Sequence, residues 1–167
     1  SAGGALGGLF TALLAPVIFD WVWEHPILVL AAAALLPNRP LFAWMDRLGL
    51  DRAGRRIAIL VLLILAMGLS GLLYRWLVEQ NDALVLLGML GIAWCGILLL
   101  GHRWAVVAVL AMLMLGRGGY QTLWASIEGT RERSYFGIYT VREQDYADLR
   151  ELTHGTTLHG LQFTDPA

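Results

Sequence analysis

The stretch IAILVLLILAMGLSGLLY, residues 57–74, contains no charged side chain, and neither does ALVLLGMLGIAWCGILLLG, residues 83–101. A helix needs about 20 apolar residues to cross the hydrocarbon core of a bilayer. A helix of that length on a soluble domain normally carries a polar stripe, and neither stretch has one. The two stretches therefore predict membrane helices.

The composition of the whole chain agrees with this prediction. Of its 167 residues, 57% are hydrophobic and 15% are charged, whereas soluble domains are roughly half apolar and a quarter charged. The net charge of −1 is uninformative about nucleic acid, and because no basic patch is present we predict no nucleic-acid partner. Cys95 lies inside an apolar run without metal-ligand neighbours, so we expect it to be a small buried hydrophobic residue.

Three further apolar segments extend the prediction to a mainly α membrane protein with about five transmembrane or partly spanning helices. The five segments cover residues 4–19, 21–36, 57–78, 83–100 and 104–116. The second and the fifth are short for a complete crossing, so we expect each to be tilted, broken or extended by flanking residues.

The connection at residues 37–56 carries more basic than acidic residues, so the positive-inside rule places it in the cytoplasm. Four of its apolar residues predict a short interfacial helix, with Trp44 at headgroup level. These four are Leu41, Phe42, Trp44 and Leu48. Counting crossings from this loop puts everything after Gly116 outside. A re-entrant fifth segment would return that region to the cytoplasm.

From Gly118 onward the pattern changes to a small antiparallel β meander. Predicted strands cover residues 122–127, 134–142, 149–154 and 157–164, with turn signals at 128–130, 144–148 and 154–155. Connections this short favour antiparallel pairing. The predicted domains are thus a multi-pass helical membrane region at 1–117 and the start of a soluble β domain at 118–167. Both chain ends lead us to expect a piece of a longer protein.

Asp20, Glu24 and His25 form a polar cluster between the first two apolar segments, beside Trp21 and Trp23. Ionisable groups inside a membrane are costly and usually functional, which favours a substrate or proton site. A solvated turn between helices, flanked by interfacial tryptophans, explains the same residues and is the preferred interpretation.

Other candidate sites are weaker. His154 and His159 are five residues apart in an extended segment, which predicts opposite faces of one strand and no zinc site. No glycine-rich phosphate loop and no nucleophile elbow occur, so no metal ligand and no catalytic residue is assigned. Four glycines in the first segment form small-xxx-small pairs that predict close helix packing. They are Gly3, Gly4, Gly7 and Gly8.

Two motifs, one near each end of the chain, carry a family resemblance. The first is GGLFTALLAP at residues 7–16, followed by Phe19 and by Glu24-His25-Pro26. The second is RSYFGIY at residues 133–139, followed by HGTTLHGLQ at residues 154–162. Together they resemble bacterial fused transporter-like/spermidine synthase proteins, and the second motif is the more specific.

The resemblance implies a multi-pass inner-membrane region followed by an aminopropyltransferase-like domain of polyamine biosynthesis. Such domains have a small N-terminal β sheet and then a Rossmann-like fold. They use decarboxylated S-adenosylmethionine as co-substrate and a polyamine such as putrescine as acceptor. Gln162 is similar to a ligand-contacting Gln of the family. The family's cofactor glycines and catalytic Asp would lie beyond Ala167, so this chain alone is expected to hold no cofactor and to be inactive.

The resemblance further implies a lipid bilayer as partner and a cytoplasmic β domain, and it leaves a homo-oligomer open. Two other interpretations remain. One is a transporter-like membrane module with a regulatory β appendage, and the other is a purely structural membrane scaffold. The codons downstream would separate the first from a transferase, because a transferase needs a glycine-rich loop and an acidic residue about 20 positions later.

Overall fold

A computed structural model of the protein describes residues 2–39, 42, 44–144 and 149–163. The chain is mostly helical and ends in a four-stranded antiparallel sheet, which confirms the predicted order of helices followed by a β meander. Its contacts define two compact units. The described residues of Ser1–His25 and Gln121–Ala167 form one, called here the sheet unit, and those of Pro26–Tyr120 form the other, the helix unit. The sheet unit therefore includes N-terminal residues that the sequence assigned to the membrane region.

The sheet unit begins with a helical run. Helix α1 (Ala2–Leu9) passes through a π-helical turn (Phe10–Leu14) into α2 (Ala15–Ile18). The π turn directly precedes Pro16, whose ring lacks the amide hydrogen that an ordinary helical turn would use. The glycine face predicted to pack closely is open, since a Cβ added at Gly3, Gly7 or Gly8 would meet nothing within 4 Å.

The sheet is a meander in the order β1-β2-β3-β4. Its strands are β1 (Arg131–Ser134), β2 (Gly137–Gln144), β3 (Leu149–His154) and β4 (Thr157–Phe163). The last two match the predicted strands as far as the structure describes them, because Thr164 lies outside the described residues. Most of the predicted turn at 144–148 lies outside them as well.

One strand prediction is wrong, and another is confirmed only in part. Residues 122–127 belong to helix α8 (Tyr120–Glu128), whose Ser126 hydroxyl donates to the Thr122 carbonyl one turn earlier. Of the predicted strand at 134–142, residues 137–142 lie in β2, whereas Ser134 ends β1 and the chain reverses before Gly137. That reversal is local: the Ser134 hydroxyl accepts a hydrogen bond from the Phe136 amide at 3.2 Å.

The helix unit contains most of α3 (Glu24–Ala34), then α4 (Trp44–Arg47), α5 (Arg52–Val78), α6 (Asp82–Leu98) and α7 (Arg103–Met114). The segment Leu115–Gly119 that follows α7 is kinked, because Arg117 and Gly118 have non-helical backbone angles, with a φ of 103° at Gly118. The long helices start at capping side chains. Asp51 accepts from the Gly54 amide at 2.8 Å, and Asn81 accepts from the Leu84 amide at 3.2 Å. The predicted interfacial helix corresponds to α4, while Leu41 lies outside the described residues.

Helices α5, α6 and α7 pack on one another around a buried apolar core. Cys95 belongs to that core and is 2% exposed, as predicted. Glycine permits the closest approach, because a Cβ at Gly88 would lie 2.8 Å from Leu73 Cδ2. The hydroxyl of Ser70 on α5 donates to the Met112 carbonyl on α7 at 2.6 Å.

Two described helices are long and apolar enough to cross a membrane, namely Arg52–Val78 and Arg103–Glu128, the second running from α7 through α8. Only 17% of the residues in the most apolar window of each are buried within the protein. The other apolar helices are shorter: Ala2–Ile18, Glu24–Ala34 and Asp82–Leu98.

Candidate functional site

The polar cluster between the first two apolar segments lies against the first strand of the sheet. Glu24, the first residue of α3, is 1% exposed, so the solvated turn predicted for it is wrong. A buried carboxylate needs a charged or hydrogen-bonding partner, because isolated burial of an ion is very costly. The carboxylates of Asp20 and Glu24 each lie beside an arginine on β1.

Arg133 binds Glu24 through two parallel hydrogen bonds. Its Nη1 donates to Glu24 Oε2 and its Nη2 to Glu24 Oε1, each at 2.8 Å. Nη1 also donates to the Trp21 carbonyl at 2.7 Å. This bidentate geometry is the strongest arrangement for an arginine and a carboxylate, and only 10% of the Arg133 side chain is exposed.

Arg131, two residues earlier in β1, makes a looser ion pair with the second carboxylate. Its Nη2 lies 3.3 Å from Asp20 Oδ2 and donates to the Ser126 hydroxyl at 2.8 Å and to the Thr122 carbonyl. The side chain is 5% exposed. Residues two apart in a strand point to the same face of the sheet, so both arginines reach the same segment.

Two tryptophans complete the arrangement. The Arg131 guanidinium lies over the Trp21 ring, 4.7 Å from its centroid, in cation–π contact. The Trp23 indole donates to Asp20 Oδ1 at 3.1 Å and to the Ser126 hydroxyl at 3.3 Å. We call the set of Asp20, Trp21, Glu24, Arg131 and Arg133 the arginine clamp.

The pairing of Glu24 with Arg133 favours the charged forms of both side chains. Hydrogen bonds from Arg133 hold the pKa of Glu24 below its ordinary value of 4.5, and burial opposes that shift. The same hydrogen bonds raise the pKa of Arg133. Burial lowers the pKa of Arg131, and the carboxylate of Asp20 opposes that shift. The carboxylates of Asp20 and Glu24 therefore bind arginine side chains of the same protein. This role differs from that of a proton relay or of a site for a free cation.

Sequence reasoning found the acids of the clamp and missed its arginines. The available signal was the pair Arg131 and Arg133, spaced for one face of a strand. The two arginines lie between the predicted turn at 128–130 and the predicted strand at 134–142, or at its border, so no strand was predicted for them.

Two open grooves flank the clamp within the sheet unit. One, of about 870 Å³, is lined mainly by polar groups, among them Thr122, Arg131, Thr140 and Thr153. The other, of about 840 Å³, includes Pro16, Tyr135, Phe136 and His154. Trp21 lines both grooves, so the clamp forms the wall between them.

His154 and His159 do not lie on opposite faces of one strand as predicted. They occupy neighbouring strands, and their ring centroids are 5.4 Å apart because a bulge in β4 shifts the register beside Leu152 and Thr153. The His154 ring also stacks on Tyr139 at 4.6 Å. Among the described residues, no group of three or more His, Cys, Asp or Glu side chains could hold a metal ion.

Gln162, the predicted ligand contact, is exposed on β4, at the edge of the sheet. It pairs with Arg150, and this register puts it on the same face as His154. The clamp arginines pair with Ile138 and Thr140, which belong to the opposite face. The sheet therefore uses one face for attachment and leaves the face of Gln162 open.

No family model, curated protein or solved structure matches the chain. The geometry of the clamp is therefore read from physical chemistry alone. The resemblance to spermidine synthase-like proteins stays a prediction of the sequence, as do the role of Gln162 and the co-substrate. What the structure adds is the attachment of a small antiparallel sheet to the start of the apolar helices.

Proposed function

We propose that this chain is the membrane-embedded and sheet-bearing part of a spermidine synthase-like aminopropyltransferase. One observation carries the proposal: the separate motifs of the resemblance meet in a single unit. The second motif forms the β1–β2 and β3–β4 hairpins, where Tyr139 stacks on His154. Glu24 of the first motif binds Arg133 of the second. Segments that act together in one family are expected to be in contact.

A further contact between the motifs supports the same conclusion. The Tyr135 hydroxyl, at the tip of the β1–β2 hairpin, donates to the Leu13 carbonyl at 3.2 Å. Leu13 lies in the GGLFTALLAP stretch of the first motif. The sheet is thus attached at two places, one by buried charges and one by a hairpin tip.

Membrane embedding is the second part of the proposal, with about five apolar segments in or partly in the bilayer. Large apolar side chains remain exposed along α5 and α6, including Leu60, Ile64, Leu87 and Trp94, each more than half exposed. Contiguous apolar surface of this kind is unfavourable in water and neutral in lipid tails. Glu24 and the clamp precede the apolar part of α3 and stay at the membrane surface.

The proposed reaction moves an aminopropyl group from a sulfonium donor to an amine. The amine nitrogen forms a bond to the propyl carbon while the carbon–sulfur bond breaks, and sulfur leaves as a neutral thioether. The new ammonium group then gives one proton to a general base. The described residues contribute the sheet that would border the donor site, with Gln162 on its open face, and the clamp fixes that sheet to the membrane region.

The test is an assay of the intact gene product in detergent. With decarboxylated S-adenosylmethionine and putrescine, we expect release of the adenosyl thioether in equal amount to the new polyamine. Gln162→Ala should raise the KM for the sulfonium donor more than it lowers kcat. Arg142→Ala is the matched control, because Arg142 is exposed and lies on the opposite face of the same sheet.

Absence of thioether release with every diamine and polyamine tried would contradict the transferase. If the same preparation moved polyamines across reconstituted vesicles, the transporter-like module with a regulatory sheet would replace it. A chain that stayed monodisperse in buffer without detergent would contradict membrane embedding, since exposed α5 and α6 surfaces would then have to tolerate water.

A further inference from the structure

The arginine clamp ties two parts of the chain that are more than 100 residues apart in sequence. We infer that residues 19–25 and the β sheet lie on the same side of the membrane, so that the chain between Glu24 and Arg131 crosses the bilayer an even number of times. This inference rests on the membrane embedding proposed above and is independent of the transferase chemistry.

Distance makes the inference strict. The Glu24 carboxylate and the Arg133 guanidinium are 2.8 Å apart, whereas the hydrocarbon core of a bilayer is about 30 Å thick. Segments on opposite sides of that core cannot form such a contact. A charged pair placed within the lipid tails would be strongly disfavoured, so the contact belongs to one membrane surface.

Two ion pairs carry the same constraint. Arg133 binds Glu24, and Arg131 lies beside Asp20. Loss of either pair would leave the other, which requires a shared side by itself.

The constraint selects among the topologies that the sequence left open. Four apolar segments precede the sheet from this point: the second, near whose start Glu24 lies, and the three that follow it. Crossing by all four, or by only the two helices long enough to span, satisfies the even count. Three crossings would be an odd number and would place the sheet on the opposite side from residues 19–25. Three crossings result when the fifth segment alone re-enters the membrane without crossing it. Sidedness of the sheet therefore follows directly from the sidedness of residues 19–25.

The experiment is cysteine labelling of the intact protein in oriented vesicles. Cys95→Ala removes the native thiol, and single cysteines then replace His25 or Glu132, both exposed in the sheet unit. We expect a membrane-impermeant maleimide to label His25→Cys and Glu132→Cys from the same side. Leu161→Cys, 58% exposed on β4, provides a second sheet position should Glu132→Cys fail to fold.

Labelling of the two regions from opposite sides would overturn the inference and leave membrane embedding intact. A protein found in the supernatant after the membranes are sedimented would instead overturn the embedding itself, and the inference with it. Loss of same-side labelling on Glu24→Ala, with recovery in Glu24→Arg combined with Arg133→Glu, would support the clamp as the element that holds the two regions together.

Discussion

The helix unit and the sheet unit hold their parts together by different physics. In the helix unit, glycine and serine let helices approach closely, as at Gly88 against Leu73 and at Ser70 against the Met112 carbonyl. In the sheet unit, two nearly buried arginines reach two carboxylates. In the membrane embedding proposed for the helix unit, lipid tails are as apolar as leucine, so burial alone would not drive helix association and close packing would decide. Water still competes at the sheet, so charge and geometry decide there.

This difference predicts opposite responses to mutation. A bundle that relies on close contact should be sensitive to added volume and indifferent to charge at its surface. A clamp that relies on paired charges should be sensitive to removal of one partner and tolerant of removal of both.

Removal of one partner from the buried pair should have the largest effect. Arg133→Ala leaves the Glu24 carboxylate, 1% exposed, without its guanidinium, and breaking a buried pair costs about 3–5 kcal/mol. We expect the free energy of opening of the β1–β2 amides, measured by hydrogen exchange in detergent, to fall by that amount. Replacing both partners, with Glu24→Leu and Arg133→Met, should recover most of the loss because no unpaired charge remains.

The sheet offers a matched control for that measurement. Arg150 and Glu143 form an ion pair at 2.7 Å in which both side chains are more than half exposed. Exposed pairs contribute at most about 1 kcal/mol, so Arg150→Ala should change protection little. Equal losses in Arg150→Ala and Arg133→Ala would show that the clamp is no stronger than a surface pair.

Acid should weaken the clamp, by less than mutation does, because a protonated Glu24 can still donate or accept one hydrogen bond. Its pKa in the folded protein lies below the ordinary value of 4.5, so ionised Glu24 stabilises the fold fully above that value. As the pH falls from 4.5 through the folded pKa, the unfolded state binds its proton first and this stabilisation is lost. The measurement is the difference in β1–β2 protection between the wild type and Glu24→Gln over that range. If the difference in protection between wild type and Glu24→Gln did not change with pH, ionised Glu24 would not be the group that stabilises the clamp.

The sequence predicted the parts of the fold that depend on local pattern. The charge-free runs at residues 57–74 and 83–101 correctly predicted helices α5 and α6. The turn at Gly155 between two β-rich runs correctly predicted the β3–β4 hairpin. Helix α8 was predicted as a strand because its β-branched Thr122 and Ile127 favour strands locally.

The candidate site was harder to predict, because it depends on contacts between distant parts of the chain. Glu24 and Arg133 are 109 residues apart, and no local pattern reports such a pair. The glycines show the same limit. Gly3, Gly7 and Gly8 have the spacing of a packing motif, yet a Cβ added at any of them would meet nothing within 4 Å. Gly88 lacks such a signature in the prediction and lies at a close helix contact. The spacing of glycines in the sequence identifies where two helices could pack closely. Only the tertiary fold determines at which of these glycines a second helix is present.

The helix unit should respond to added volume, with the smallest of the three effects. In Gly88→Ala the new Cβ would lie 2.8 Å from Leu73 Cδ2 and 2.9 Å from Trp76 Cζ3, and Leu73 is fully buried. Overpacking of this kind costs about 1–3 kcal/mol, so the thermal unfolding midpoint in detergent should fall. Gly71→Ala, on α5, is the control, because its Cβ would meet nothing within 4 Å. There the better helix propensity of alanine, worth roughly 0.5–1 kcal/mol, should raise the midpoint. A rise in both variants would mean that α5 and α6 are not in close contact at Gly88, and the contrast between the two units would lose its helical half.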